Sequence, residues 1–452
     1  MAKAMVSSIR ALLPIFAVLL VVAAPTVGAQ RPLQSDLATD LDEYLTRVEA
    51  ERGLDAAVLV ARGDYIILRQ GCGVADEESG SLFSPDTVVG IASISKQFSA
   101  SAIMRLVDAG LVSLDQTLGS LLQDIPDDKA GITVDQLLTH TSGLRSDHME
   151  CDLGPLTRDE AIDRILNTPL IPSPGERYSY SNSGYTLLAA IIEEVSGEDY
   201  HQFLADQFFL PLRMNNTGAW DEPRFKDLPV ATGYMNGESS GPLNQLPGPY
   251  WTVTGNGDIA STVDDMLTWY RALSAGEVLS PSATESMFTS YTTKDGSDME
   301  YGYGWEVSKR AGLGRIITHN GGGLTGNSVL SDYQDLPLTT IILGNRVTYR
   351  TLGPVPVVVR LPADEIAAAI AQGVATGDFS KLPTTTFILW PYAFAALVLI
   401  ALVCIGIVAL VRNRRGRARS LKPTRLAGEY ALVPGLQGQH TMKERSPSRR
   451  AA

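Results

Sequence analysis

Short apolar runs typical of β-strands lie near both ends of residues 36–373, whereas the chain between them is patterned almost entirely as helix. Two runs, 56–61 and 65–69, flank Arg62-Gly63-Asp64, which predicts a hairpin. Further strands are predicted around Trp305 and at 316–319, 328–330 and 338–343. Strands on both sides of one helical insert favour a single antiparallel sheet. The predicted fold is α+β, an antiparallel sheet flanked by helices with an inserted, mainly helical subdomain.

The helical middle is marked by caps and periodic apolar rows. Thr133-Val134-Asp135-Gln136 is a capping box, and glycines follow two of the predicted helices. We predict helices opening at Ser93 and ending near Gly110, and at 157–167, 185–195, 200–209 and 364–372. Residues 221–257 are rich in Gly, Pro, Asn and Ser and are predicted to form a long loop. A functional site is expected in the cleft between the sheet and the helical subdomain.

The N-terminus has the three parts of a secretory signal. Lys3 and Arg10 precede an apolar stretch at 11–24 that is short for a membrane span, and Val27-Gly28-Ala29 provides small residues before Gln30. We predict a signal peptide over residues 1–29. The alternative is an uncleaved N-terminal anchor.

Residues 387–411 contain no charged side chain and are long enough to cross a bilayer. Trp390 and Tyr392 lie near the start, and an arginine-rich stretch follows from Arg412, the side expected to remain cytoplasmic. A buried core helix is the alternative. We predict one globular domain over 36–373, a linker over 374–386, a transmembrane helix over 387–411 and a basic cytoplasmic tail over 412–452. The protein is thus expected at the cell membrane, single-pass, with its main domain extracytoplasmic.

The exported part is strongly acidic. Residues 30–411 hold 24 Lys and Arg against 48 Asp and Glu, so its surface repels nucleic acid and anionic headgroups. The expected partners are a small-molecule or peptide substrate and, through the span alone, membrane lipid. Two interpretations of Cys72 and Cys151 stay open: a disulfide between them, or two separate thiols. No cysteine spacing or histidine motif indicates a metal, and no cofactor is predicted.

The chemistry centres on Ser93-Ile94-Ser95-Lys96, placed where an apolar run enters a helix. Residues three apart share a helix face, so Ser93 Oγ and the Lys96 amine can meet. A serine needs a base to become nucleophilic, and a lysine in a pocket of low dielectric can lose its proton and be that base. Ser-x-x-Lys arises by chance, so its meaning depends on partner groups elsewhere.

Two later motifs supply those partners. Tyr180-Ser181-Asn182 precedes a helix, and Tyr180 is a candidate proton relay, the alternative being an ordinary half-buried aromatic residue. Tyr234-Met235-Asn236 has the same pattern but lies in the predicted loop, so we interpret it as a chance match.

His319-Asn320-Gly321-Gly322 ends a predicted strand, and the N–H groups of Gly322 and Ser93 could form an oxyanion hole. A lone histidine at a strand end is more often structural, and the glycine run that follows makes a functional role of His319 about equally compatible with the sequence. The run 321–326 also fits G-x-G-x-x-G, but a strand rather than a helix is predicted after it, which argues against a dinucleotide site.

In this order the three motifs resemble the serine β-lactamase and penicillin-binding protein superfamily, specifically its class C β-lactamase, DD-peptidase and esterase branch. The resemblance covers roughly 36–373 and extends to Leu137-Leu138-Thr139-His140-Thr141-Ser142-Gly143-Leu144, Pro174-Gly175-Glu176, Gly257-Asp258-Ile259-Ala260-Ser261 and Tyr301-Gly302-Tyr303-Gly304-Trp305. The resemblance implies that Ser93 is acylated, that Lys96 is its base and that Tyr180 protonates the leaving group. It also implies that Asn182 holds the substrate amide. The remaining implied positions line the substrate-binding site and the oxyanion hole: His319, Gly321 and Gly322. His140 resembles a packing position.

One departure narrows the expected chemistry. Efficient β-lactamases of the superfamily have Lys-Thr-Gly or Lys-Ser-Gly where this chain has His319-Asn320-Gly321, and a histidine gives no fixed positive charge near pH 7. We predict a membrane-anchored serine hydrolase that acts on an ester or amide. The alternatives are a penicillin-binding DD-peptidase or weak β-lactamase and, from a different class, a catalytically silent binding or sensor module.

Overall fold

The structure is a computed structural model that describes residues 34–149, 154–246, 248–293, 299–323, 326–347, 349–352, 355–358 and 362–384. The predicted signal peptide, the predicted span over 387–411 and the basic tail lie outside this part of the chain. Within it, no helix combines the length and apolarity that a membrane crossing requires.

One eight-stranded sheet organises the described chain. All its neighbouring strands are antiparallel, in the order β10-β11-β12-β13-β14-β15-β1-β2. The strands of this sheet are β1 (Ala56–Arg62), β2 (Tyr65–Cys72), β10 (Thr292–Thr293), β11 (Glu300–Tyr301), β12 (Glu306–Arg310), β13 (Gly314–Gly323), β14 (Gly326–Tyr333) and β15 (Leu338–Gly344). Both ends of the domain contribute strands, so the predicted α+β fold with a single main antiparallel sheet is confirmed.

Smaller sheets accompany the main sheet in the described chain. Their strands are β3 (Val74–Asp76), β4 (Ser81–Leu82), β5 (Val89–Gly90), β6 (Gly218–Ala219), β7 (Thr232–Met235), β8 (Glu238–Pro242), β9 (Ile259–Ser261), β16 (Arg346–Val347), β17 (Tyr349–Leu352) and β18 (Val355–Val358). The helices are α1 (Gln34–Arg52), α2 (Lys96–Asp108), α3 (Leu118–Leu121), α4 (Val134–Leu138), α5 (Arg158–Asn167), α6 (Asn182–Ser196), α7 (Tyr200–Leu204), α8 (Val263–Ser274), α9 (Pro281–Met287) and α10 (Ala363–Thr376).

The period-two alternation of strand side chains divides the core into two layers. In β1, Leu59 faces the helical insert and pairs with Ile341, whereas Val58 faces α1 and α10 and pairs with Ile342. Every residue of β1 except the last is buried. A slip of one residue in the register would exchange the two faces, so this central strand is strongly fixed.

The segment that follows α10 packs against α1. Gly377 ends α10 in the left-handed conformation, and the buried ring of Phe379 then lies 6.4 Å from that of Tyr44. Arg47 donates to the Phe379 carbonyl oxygen at 2.6 Å. The described part of the predicted linker, 374–384, is therefore helical at its start and docked afterwards, because Phe379 gains buried apolar surface there.

The predicted long loop over 221–257 contains two strands and two short 3-10 turns, so the prediction of a loop throughout was wrong. Strands β7 and β8 form a hairpin whose tight turn is Asn236-Gly237, both with positive φ. Asn-Gly is among the strongest local signals for such a turn, and the surrounding Gly- and Ser-rich composition obscured it. Tyr234 lies in this hairpin, where its hydroxyl accepts from the Glu77 amide at 2.7 Å. The Tyr234-x-Asn236 match is therefore structural.

Candidate active site

Ser93 lies on a tight turn between a strand and a helix. A 3-10 turn, Ala92–Ser95, follows β5 and leads directly into α2. The Ile91 amide donates to the Ile259 carbonyl oxygen at 3.0 Å, which ties the start of the turn to β9. Ala92 has φ of +48°, a conformation that non-glycine residues rarely adopt and that clusters at functional sites. Ser93 is half-buried whereas the residues on either side of it are buried.

Lys96 reaches back to Ser93 from the first turn of α2. Its Nζ lies 3.1 Å from Ser93 Oγ and 2.8 Å from the carbonyl oxygen of Asn256. The side chain is fully buried, and Nζ lies 4.9 Å from the ring centroid of Tyr180 and 5.6 Å from that of Tyr185. The i,i+3 spacing thus brings the two atoms to a distance across which a proton can pass.

Tyr180 also contacts Ser93. Its hydroxyl is hydrogen-bonded to Ser93, and burial raises the pKa of Tyr180 well above its usual value despite that bond. The phenol is therefore protonated near neutral pH. The His140 ring lies 4.3 Å from that of Tyr180, and His140 Nδ1 accepts from the Ser181 amide at 3.0 Å. His140, predicted only as a packing residue, thus also orients the loop before α6 that carries Tyr180.

Aromatic rings from distant segments surround this group. Burial raises the pKa of Tyr178, Tyr185 and Tyr301. Tyr185 donates to the Leu138 carbonyl oxygen at 2.9 Å. The Tyr301 ring lies 4.6 Å from that of His140. Such a low-dielectric surrounding strengthens the electrostatic interactions at Ser93 and raises the cost of charging a phenol.

Asn182 is the first residue of α6. Ser181 caps this helix through its side chain, and the Asn182 amide donates to the Ser146 carbonyl oxygen at 2.7 Å. Asn182 Nδ2 donates to Asp147 Oδ1 at 2.6 Å. Asn182 Oδ1 is buried and has no hydrogen-bond partner among the described residues. Its acceptor capacity is thus unused by the described residues, and a contact of Asn182 with a substrate amide stays a prediction. Asp147 is a carboxylate near the site that the motif pattern did not indicate.

His319 lies in β13 with its ring held by neighbouring protein groups. The side chain is 1 % exposed, Nε2 lies 3.0 Å from Tyr301 Oη, and Nδ1 lies 2.7 Å from the Asn320 carbonyl oxygen. The ring thus connects to Tyr180 through Tyr301. Direct contact of His319 with a substrate stays a prediction.

The glycines after His319 let β13 lie directly against the Ser93 turn. A Cβ on Gly321 would be 2.1 Å from the carbonyl oxygen of Ile91, so only glycine permits this approach. A Cβ on Gly322 would meet nothing within 4 Å. Strand β13 therefore presents its backbone beside Ser93 with open space at Gly322, where an oxyanion donor is expected. The run 321–326 is divided between β13 and β14 of a hairpin, which does not fit a dinucleotide-binding turn.

Other groups are excluded from the site. Cys72 is buried and its thiol is not in a disulfide, and burial raises its pKa to about 11. Cys151 lies outside the described residues. Across the described ranges, no cluster of three or more His, Cys, Asp and Glu side chains could hold a metal.

The motifs also missed Asn256, whose carbonyl oxygen accepts from Lys96. Backbone acceptors leave no residue-type signature. The adjacent stretch Gly257-Asp258-Ile259 was part of the family resemblance and was the available signal.

The beta-lactamase family model matches residues 41–355, most of the described chain and all of the residues above. The chain belongs to the beta-lactamase family. It is a serine hydrolase of the class C-like group that includes penicillin-binding proteins and D-aminopeptidases. Penicillin-binding protein 4* of Bacillus subtilis (strain 168) is 29% identical over 311 residues, covering 65% of this chain and 68% of that protein. A D-aminopeptidase of Brucella canis is 27% identical over 286 residues, covering 61% of this chain and 53% of that protein.

Solved structures support the same assignment. The octameric penicillin-binding protein homologue from Pyrococcus abyssi is 27% identical with a TM-score of 0.63, covering 76% of this chain and 79% of that chain. The D-amino acid amidase from Ochrobactrum anthropi SV3 has a TM-score of 0.61 and covers 69% of this chain and 92% of that chain. At 23% identity, the amidase supports the fold alone.

Proposed function

We propose that this hydrolase forms an acyl-enzyme on Ser93 and acts on amides or esters of D-amino acids. The observation that carries the proposal is the convergence of two proton-handling groups on one hydroxyl. Lys96 Nζ lies 3.1 Å from Ser93 Oγ, and the Tyr180 hydroxyl is hydrogen-bonded to the same serine. A nucleophile with both a base and a donor in reach has what acyl transfer to and from an amide requires.

In the proposed reaction, Ser93 Oγ adds to the substrate carbonyl carbon while its proton moves to the unprotonated Lys96 amine. The N–H groups of Ser93 and Gly322 stabilise the resulting oxyanion. The leaving nitrogen takes a proton from Tyr180 Oη as the C–N bond breaks, and Tyr180 recovers that proton from Lys96. A water molecule then hydrolyses the ester, with the same groups moving the protons in reverse.

The substrate class is inferred from the relatives and from Asp147. Curated relatives include a D-aminopeptidase and a penicillin-binding protein. The Asp147 side chain is exposed, accepts from Asn182 Nδ2 at 2.6 Å, and its charge contributes to raising the pKa of Tyr180. A carboxylate so near the reacting groups attracts a cation. The free α-ammonium of a D-amino-acyl amide is such a cation, because it is bonded to the Cα next to the scissile carbonyl carbon.

Intact-mass spectrometry of the purified chain tests the acyl-enzyme. The panel contains p-nitrophenyl esters, D-alanine amides and β-lactams, and the expected result is an adduct of the acyl mass that is absent in Ser93→Ala. Ser101→Ala is the matched control, because the Ser101 hydroxyl is buried on the same helix and has no partner among the described residues. Adducts that persist in Ser93→Ala would contradict the mechanism.

The role of Asp147 is tested with D-alanine p-nitroanilide and its N-acetylated form. For Asp147→Asn we expect kcat/KM to fall roughly 10- to 150-fold on the free amine, since a charged contact contributes roughly 1.5–3 kcal/mol, and to change little on the acetylated substrate. Asp127→Asn, an exposed carboxylate in another loop, is the control. Equal losses on both substrates would argue against recognition of the ammonium.

A cell-wall DD-peptidase is the second candidate. The similarity to penicillin-binding protein 4* favours it, whereas His319 in place of a lysine disfavours binding of a substrate carboxylate. Labelling by a fluorescent penicillin that is lost in Ser93→Ala would favour the peptidase. If neither esters nor a fluorophosphonate probe modify Ser93, the catalytically silent module becomes the better interpretation.

We further propose that the hydrolase is exported and anchored by residues 387–411, with the tail from Arg412 cytoplasmic. The support is the charge-free stretch of 25 residues followed by arginines. Full-length protein should resist carbonate extraction from membranes, and a chain ending at residue 386 should be released. Protease added to intact cells or spheroplasts should degrade the catalytic domain. Recovery of the full-length chain in the soluble fraction would refute the anchor.

A further inference from the structure

The segment 255–259 supports the start of α2 from one side. Ser99 Oγ donates to the Gly255 carbonyl oxygen at 2.5 Å, and Lys96 Nζ donates to that of Asn256 at 2.8 Å. Two consecutive carbonyl groups thus hold two side chains one helical turn apart. The position of this backbone segment consequently fixes where the Lys96 amine lies relative to Ser93.

An ion pair between the buried Asp258 carboxylate and the His201 imidazole, whose side chain is 30 % exposed, holds the same segment. Asp258 Oδ2 lies 2.6 Å from Nε2 of His201, which belongs to α7. The Asp258 side chain is 1 % exposed, and its second oxygen has no hydrogen-bond partner among the described residues. The neighbouring Tyr200 hydroxyl lies 2.6 Å from Ser99 Oγ, so α7 contacts both the segment and α2.

The charge of His201 depends on the carboxylates around it. Burial alone would lower the pKa of His201, but the carboxylates of Asp258, Asp199 and Asp221 outweigh burial and raise it to about 9. The other titratable group against the imidazole is the ring of Tyr200, at 5.1 Å. A carboxylate as buried as that of Asp258 is costly without a cation, so the segment is stable in this position only while His201 compensates it.

We propose that His201 and Asp258 are a positioning pair for Lys96, fixing the 255–259 segment so that the Asn256 carbonyl oxygen aims the amine at Ser93. The proposal rests on the proposed function, in which Lys96 takes the Ser93 proton. Neither residue touches the reacting atoms. The pair acts through the backbone of one short segment, and the contribution of that segment to catalysis depends on the charge of His201.

The sign of the pH dependence follows from the raised pKa. The unfolded value for histidine is about 6.5, so the stabilisation is complete below that pH and is lost as pH rises through about 9. Neutral imidazole still donates one hydrogen bond, but without charge assistance. We therefore expect the acylation rate of the folded protein to fall across an alkaline limb near pH 9.

The test measures the single-turnover rate of acylation by a p-nitrophenyl ester between pH 6 and 10.5 at a temperature where circular dichroism shows each variant folded. For His201→Gln we expect the rate at pH 7 to fall roughly 10- to 100-fold, with the alkaline limb absent. For Asp199→Asn, which keeps a good N-cap on α7, we expect the limb to move to lower pH because one carboxylate beside His201 is lost.

Arg346→Gln is the matched control. It breaks another ion pair of low exposure, Arg346–Asp55 at 2.9 Å, which links β16 to the start of β1 and includes no group that contacts Lys96. It should lower stability and leave the acylation rate and pH profile unchanged. A folded His201→Gln protein with a wild-type rate and profile would overturn the proposal.

If His201→Gln does not fold, the pH profiles of acylation of the wild-type and Asp199→Asn proteins test the positioning role instead. A wild-type rate that does not decline up to pH 10, or a limb that does not move in Asp199→Asn, overturns the positioning role. Ser93→Ala separates this from the proposed function. If wild-type protein shows no Ser93-dependent acylation, the proposed function has failed, whereas acylation that is indifferent to His201 defeats the positioning pair alone.

Discussion

Replacing Gly321 with alanine tests whether β13 must lie directly against the turn that carries Ser93. The new Cβ would be 2.1 Å from the Ile91 carbonyl oxygen, and real contacts of this type do not fall below 3.0 Å. Neither side yields easily, because Ile91 is hydrogen-bonded to Ile259 and Gly321 is paired with Ser328 in the centre of the sheet. The strand and the turn must therefore separate by close to 1 Å.

That separation has two measurable costs. Overpacking of this kind typically destabilises a protein by about 1–3 kcal/mol. It also moves the Gly322 amide away from the oxyanion position relative to Ser93. Loss of one oxyanion donor costs about 10²–10³ in rate, or roughly 2.7–4 kcal/mol of transition-state stabilisation. We expect kcat/KM for a p-nitrophenyl ester to fall by about 10², with the larger effect on kcat.

Urea denaturation and initial-rate kinetics check the two costs separately. Gly131→Ala is the control, since its Cβ would meet nothing within 4 Å and Gly131 lies in an exposed turn. Gly322→Ala provides a graded comparison, because its Cβ also meets nothing and its amide is kept, so its loss should be at least about 10-fold smaller than that of Gly321→Ala. A folded Gly321→Ala protein with near wild-type activity would refute the reasoning.

Three further changes probe other parts of the structure. Tyr180→Phe should lower the rate of p-nitroanilide hydrolysis by about 10²–10⁴-fold and that of ester hydrolysis less, because an amide leaving group depends more on protonation. Equal losses on the two substrates would contradict the role of Tyr180 as a proton relay. Lys96→Arg should reduce the acylation rate at least about 10³-fold, since a guanidinium stays charged and cannot be the base. Retained activity in a protein with an unchanged melting curve would exclude Lys96 as the base. Phe379→Ala should destabilise the domain by about 3–5 kcal/mol in urea denaturation without changing kcat, and no change would mean that the contact with Tyr44 contributes little.

Local signals predicted the helical part of the fold well. Thr133 and Thr157 each form a capping box with the residue three positions later, and Gly197 ends α6 in the left-handed conformation. These are short-range effects, in which one side chain or one positive φ satisfies the end of a helix. The start of α2 was less well predicted. Ser93 lies on a 3-10 turn and the regular helix begins at Lys96, because β13 and β9 constrain the preceding backbone.

The partners of the predicted site residues could not be read from the sequence. Asp147 is 35 residues from Asn182, and Asn256 is 160 residues from Lys96. The His140 ring contacts that of Tyr180, 40 residues later, in a fold where α4 and α6 pack together. No periodicity or composition encodes such pairs, since they depend on tertiary packing rather than on local propensity. The motifs therefore located the groups to which we assign the proposed reaction, whereas the residues that contact those groups could be identified only from the structure.

The state of Tyr180 fixes the order in which protons move in the proposed reaction. Burial holds the pKa of Tyr180 well above its usual value, so the phenol enters the reaction protonated and acts first as a donor. A protonated phenol is not a competent acceptor for the Ser93 proton, which leaves Lys96, at 3.1 Å, as the initial base. Lys96 must then reprotonate Tyr180 after the leaving group departs. In this scheme the Lys96 amine must exchange a proton with two oxygens, so the Asn256 carbonyl oxygen that accepts from it at 2.8 Å positions the base for both steps.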